Sequence, residues 1–86
     1  MAEEPLVEVG RVTHYFAKIS VAVVELSKSL AVGDTISIVG PTTDFQQEVE
    51  SMQIEHETVE RAEAGQSIGL KVSDRVREKD TVYRKK

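Results

Sequence analysis

His14 and His56 are the first residues to weigh for chemistry, because imidazole serves both as a metal ligand and as a proton carrier near neutral pH. The chain has no cysteine, and no ligand spacing gathers carboxylates around either ring. Both therefore read as structural or exposed histidines. Carboxylates crowd residues 44–63, seven acids against Arg61 alone. In an extended chain Glu48 and Glu50 share one face, as do Glu55 and Glu57, so a solvated strand surface is the plain reading; a general acid–base pair is the alternative. Ser27, Ser29 and Ser37 lack the setting of an activated serine. Gly33, Gly40, Gly65 and Gly69 are too scattered to cradle a phosphate. The expectation is a non-enzymatic protein with no metal and no cofactor.

Other residues are suited to binding. Tyr15 and Phe16 lie next to Lys18 in "THYFAK". Aromatics beside a cation can stack on bases, and they can equally cap the open end of a barrel. Lys71, Arg75, Arg77, Lys79 and Arg84, with Lys85 and Lys86, give residues 71–86 seven bases against three acids. A solvated, frayed end and a phosphate-touching face both fit that run. The net charge of −4 opposes strong non-specific binding to nucleic acid.

The elements that must position these groups are strands. Val7 and Val9 share a parity, as do Ile36 and Ile38, and Ile68, Leu70 and Val72; period-two spacing of β-branched residues marks half-buried strands. Turn chemistry separates them at "SLAVGD", "GPTTD" and "EAGQ". Six strands are predicted, at about 6–15, 18–26, 35–40, 45–56, 67–73 and 80–84. The alternation slips at Gly10, and again between Val49 and Met52. Each slip calls for a β-bulge or a barrel corner, since one extra residue exchanges the faces. "GDTISI" and "KDTVYR" enter their strands alike through Asp-Thr, which reads as two similar turns.

The expected core is Val7, Val9, Val12, Val21, Val23, Ile36, Ile38, Val49, Met52, Ile54, Ile68, Leu70, Val72 and Val82. Eighty-six residues at 40% hydrophobic content suit a single domain over 1–86, with flexible ends expected at 1–5 and 84–86. The acidic start is no signal peptide, and no apolar run reaches the roughly 20 residues of a membrane helix. A soluble, cytoplasmic monomer is expected.

The motifs Gly33-Asp34, Val49-Ser51-Met52, His56-Glu57 and Ala62-Gly65-Ile68-Gly69 resemble the second domain of translational GTPases, the β-barrel of elongation factor Tu and its archaeal relative. That resemblance implies an all-β, six-stranded closed Greek-key barrel of the translation-factor domain 2 type, without the GTPase. It also implies contacts to tRNA or rRNA, with Gln53 and Gln66 at two positions that are acidic in the family and lie near the terminal adenosine. "GPTTDFQQEVESM" is similar to the C-terminal barrel of the collagenase-like peptidases, some of which take part in RNA modification. The barrel subunit of the archaeal pseudouridylation particle resembles the chain in fold only. The main expectation is an accessory domain that binds RNA or a ribonucleoprotein through Tyr15, Phe16, Lys18, Gln53, Gln66, Lys71, Arg75, Arg77, Lys79 and Arg84. The alternative is a protein-interaction module docking on a larger enzyme or factor. No nucleotide and no membrane is expected as a partner.

Overall fold

The computed structural model describes residues 6–85. They form strands β1 (Leu6–Phe16), β2 (Val21–Leu26), β3 (Leu30–Ala31), β4 (Thr35–Gly40), β5 (Thr43–Glu48), β6 (Met52–Ile54), β7 (Glu57–Val59), β8 (Arg61–Ala62), β9 (Ser67–Lys71) and β10 (Thr81–Lys85), with no helix among them. The all-β class is as expected. Residues 1–5 and 86, part of the ends expected to be flexible, lie outside the described residues. Arg84 and Lys85 are ladder residues of β10. No helix of the described residues is long and apolar enough to cross a membrane.

Eight strands pair antiparallel in the order β5-β4-β10-β1-β2-β9-β6-β7, and β3 pairs with β8. One apolar cluster lies inside, including Val9, Val12, Val24, Leu30, Ile36, Ile38, Met52, Ile68, Leu70 and Val82. β1 spans this sheet by bulging twice, once between Glu8 and Gly10 and once between Val12 and His14. At the first bulge Val9 and Gly10 both face inward. A Cβ on Gly10 would sit 2.7 Å from the Glu25 carbonyl oxygen and 2.8 Å from Val24 Cγ1, so only glycine fits there. The second bulge turns His14 outward, away from the phase of Val12.

The expected six-stranded closed barrel is corrected in two ways. First, the single strand predicted at 45–56 is two strands. Val49 leaves the β5 ladder because its N–H donates to Asp34 O (2.8 Å) and its carbonyl accepts from Gly33 N (2.9 Å). Second, no ladder joins β5 to β7 among the described residues. A side chain links β5 to the end of β9 instead: Gln47 Nε2 donates to Lys71 O (2.9 Å), and Gln47 Oε1 accepts from Ser73 N (2.7 Å). Among the described residues no backbone ladder closes the ring, so the sheet keeps two edge strands there.

β2 corrects the expected core. Its inward residues are Ala22, Val24 and Leu26, whereas Val21 and Val23 lie on the outer face and are only partly buried. Val7 and Ile54 are also only partly buried. Leu30, Ala62 and Val76, from segments predicted as loops, complete the interior.

The Asp-Thr echo runs deeper than a shared turn. Asp34 N donates to Ala31 O (3.1 Å) while Asp34 Oδ2 accepts from Ala31 N (3.0 Å). Asp80 does the same to Arg77, at 3.1 and 2.9 Å. The first turn grips Val49; the second grips Val12 through the same pair of bonds, Lys79 N to Val12 O and Val12 N to Asp80 O. Leu26 N to Gln66 O likewise matches Val72 N to Ser20 O, both 2.9 Å. At one constant interval Ala22, Val24, Leu26, Leu30 and Ile36 correspond to Ile68, Leu70, Val72, Val76 and Val82, all buried. β4 pairs with β10 and β2 with β9, each antiparallel, so the halves are related by an internal two-fold axis.

One prediction follows from the two turns. Gly33 and Lys79 occupy the same position, with φ of 98° and 78°. Left-handed backbone costs a side-chain-bearing residue roughly 1 kcal/mol that glycine avoids. Lys79→Gly is therefore expected to stabilise the protein by up to about 1 kcal/mol, read as a higher urea midpoint. A lower midpoint would refute the equivalence of the turns.

Candidate docking groove

β1 and β2 are joined by a turn of four residues, Ala17 to Ser20, closed by weak bonds from Ile19 N to Phe16 O (3.3 Å) and Ser20 N to Ala17 O (3.4 Å). This turn leaves Phe16 46% and Ile19 58% exposed. Ladder pairing sets Phe16 beside Val21, and Val23 beside Gly69. Residues opposite one another in a ladder point to the same face, so these side chains line one side of the sheet. Met52 pairs with Leu70 and Gln53 with Gly69, which brings β6 and its turn to β7 up as the other wall. The result is a largely apolar groove of about 280 Å³ bounded by Phe16, Ile19, Val21, Val23, Gln53 and His56, with Gly69 in its floor. A Cβ on Gly69 would lie 3.3 Å from Val21 Cγ1. The close neighbours of Gly69 are Val21 and Gln53 of the flanking strands, so glycine keeps this floor low.

The residues expected to bind RNA separate. Tyr15 is half-buried and packs on the core, the capping role. Phe16 points into the groove and meets His14 edge-on, with ring centroids 4.4 Å apart. Lys18 is exposed in the turn. Gln53 lines the groove, but Gln66 Oε1 accepts from Glu63 N (2.8 Å) and is part of a turn. Lys71 pairs with Val21 at the hairpin end. Arg75 and Arg77 line a separate polar recess of about 260 Å³ in which Asp44 and Asp74 interleave with them. Lys79 belongs to the turn gripping Val12, whose Glu78 pairs with His14 at 3.3 Å. Arg84 donates to the Ser29 carbonyl. Only Arg75 and Arg77 line one recess together, and there Asp44 and Asp74 stand beside them; Lys71, Lys79 and Arg84 are placed separately on β9, in a turn and on β10.

Sequence reasoning missed the groove, although a signal was present. A strand with one face in water alternates, whereas a strand covered on both faces is apolar throughout. Val21, Ala22, Val23 and Val24 are apolar without interruption, yet only the inner face of β2 is covered here.

No family model matches the chain. An uncharacterized protease of Methanocaldococcus jannaschii is 49% identical over 78 residues, covering 90% of this chain and 19% of that protein. A collagenase of Porphyromonas gingivalis is 44% identical over 78 residues, covering 88% of this chain and 22% of that protein. The chain thus spans about a fifth of the length of these relatives. The fold is that of the C-terminal domain of a putative U32 peptidase of Geobacillus thermoleovorans, with a TM-score of 0.86, 21% identity and 92% of each chain covered. A selenomethionine variant of that domain aligns with a TM-score of 0.84 at 23% identity. The resemblance to collagenase-like peptidases is supported, and that to translation factors is not. The expected role, binding RNA or a ribonucleoprotein in translation or RNA modification, is overturned with it, since the relatives are a protease and a collagenase. Of the motif residues that suggested translation factors, Gly33, Asp34, Val49, Met52, Ala62, Gly65 and Ile68 are turn and core positions of the sheet, while His56 and Gly69 line the groove.

Proposed function

We propose that this chain is a non-catalytic β-domain of the collagenase-like peptidase lineage, a module that docks on a larger enzyme body through the outer face of β2. The observation that carries this reading is the uncovered apolar surface of Phe16, Ile19, Val21 and Val23 around the Gly69 floor. Apolar side chains gathered in a concave patch are characteristic of surfaces meant to be covered. The relatives supply something to cover it, since about four fifths of their length lies outside the matching segment. No catalytic role is assigned to the module: His14 and Glu78 form an exposed surface pair, and His56 stands in a tight turn at the groove wall.

The test is a titration of the isotope-labelled chain with the M. jannaschii protease from which the matching segment has been removed. Amide shifts confined to the two groove walls and Gly69 are expected. Shifts confined to residues 74–79, or none at all, would reject docking at this face. In parallel, the chain alone is expected to leave gelatin and casein intact, and cleavage retained by the purified protein would show it to be an enzyme.

A further inference from the structure

The internal two-fold exposes an asymmetry. In the first half β1 turns directly into β2 through Ala17 to Ser20. In the second half the corresponding path, from β6 to β9, is longer and contains β7 and β8. The added chain brings the turn Glu55–His56, which lines the groove, and without it the groove would lack its second wall. This turn has φ of 51° at Glu55 and 69° at His56, the pairing of a two-residue type I′ hairpin, which Asn-Gly satisfies far more easily. Two side chains held in left-handed backbone are a costly choice unless they are used. The added chain is also acidic. Glu55, Glu57 and Glu60 have no ion-pair partner among the described residues, and its one cation, Arg61, is bound to Glu63 at 2.9 Å.

The geometry points to a specific occupant: a segment of the enzyme body that seats an apolar side chain over Gly69 and sets a lysine or arginine against Glu55. The inference rests on the docking reading and adds the chemistry of what docks. Gly69 provides depth, Phe16 and Ile19 provide one apolar wall, and the β6–β7 turn provides a negative wall. An apolar group beside a cation meets all three, whereas an acidic segment would be repelled at the rim.

The experiment measures affinity for the same truncated M. jannaschii protease, using the full 86-residue chain and three variants at two salt concentrations. Glu55→Lys is expected to weaken binding about 10-fold or more and to flatten its salt dependence. Gly69→Leu, which fills the seat, is expected to weaken it by at least as much. Glu48→Lys makes the same charge change on β5, outside the groove, and is expected to stay within about 2-fold. Each variant is checked for an unchanged amide spectrum away from its site, and Glu55→Lys and Gly69→Leu probe different walls, so a misfolded variant leaves the other decisive. Tight binding by all three variants would overturn this inference and leave docking standing. Equal losses for Glu55→Lys and Glu48→Lys would reduce the effect to net charge and overturn it as well. Failure of the unaltered chain to bind would overturn both readings. Self-association of the unaltered chain in sedimentation, abolished by Gly69→Leu, would make a second copy the occupant and overturn the basic–apolar segment.

Discussion

Gly40→Ala is expected to cost about 1–3 kcal/mol, although it adds a single methyl group to the end of a strand. A Cβ at Gly40 would fall on the Asp80 carboxyl group, 2.7 Å from its Cγ and closer still to Oδ1. Asp80 is 1% exposed and cannot swing into water. Its Oδ2 accepts from Arg77 N, and its backbone carbonyl accepts from Val12 N. Moving the carboxylate takes it from Arg77 N and leaves a buried acceptor unpaired, about 1–3 kcal/mol. Moving the strand instead disturbs the β4–β10 ladder at Val39 and Thr81, with an overpacking cost of about 1–3 kcal/mol. Urea unfolding of the variant reads whichever adjustment is cheaper. Asp80→Ala in the Gly40→Ala background should cost much less than the two single losses added, because the clash partner is gone. Full additivity would show that the two residues do not meet.

Leu70→Ala is the second large effect, an expected loss of about 2–5 kcal/mol. Leu70 is fully buried and stands between Ala22 and Met52 in adjacent ladders, where strands on both sides limit collapse into the cavity. Val23→Ser, one strand away, should cost about 1 kcal/mol or less, because Val23 faces outward and is only partly buried. The pair reads out which face of β2 and β9 is inside. Comparable losses would put Val23 in the core, as its parity with Val21 suggested. Under the docking reading Val23→Ser should weaken binding to the truncated protease while leaving the fold intact.

What was legible in the sequence was local. The bulge at Gly10 could be found because the alternation of Val7 and Val9 breaks there, and the structure shows that glycine alone fits between Glu25 and Val24. The turns before β4 and β10 were visible in Asp34-Thr35 and Asp80-Thr81, since an aspartate accepting its own turn's N–H is short-range chemistry. The phase of β2 was hidden, because four successive apolar residues carry no alternation. The break between β5 and β6 was half legible. The slip between Val49 and Met52 marked its place but read as a bulge or a corner; the turn at Ala31 to Asp34 makes it a strand end from a distance by taking both backbone groups of Val49. The Glu55–His56 turn lacks the Asn-Gly signal that would have announced it. The groove depends on all three, so the apolar run of β2 hinted at an uncovered face without locating the groove. The translation-factor resemblance misled for a related reason, while the collagenase-like one held: turn glycines and inward valines report a framework, and a framework does not determine what it binds.

By itself the sequence determined an all-β chain with no cysteine framework, its principal turns and most of its core, because alternation and turn chemistry act over a few residues. Only the tertiary structure decided that Val21 and Val23 face outward, that Arg75 and Arg77 stand among acids, and that two halves related by a two-fold enclose a one-sided groove. Those outcomes turn on which residues far apart in the chain pair across ladders, and a ladder shifted by one residue would have exchanged every inner side chain for an outer one.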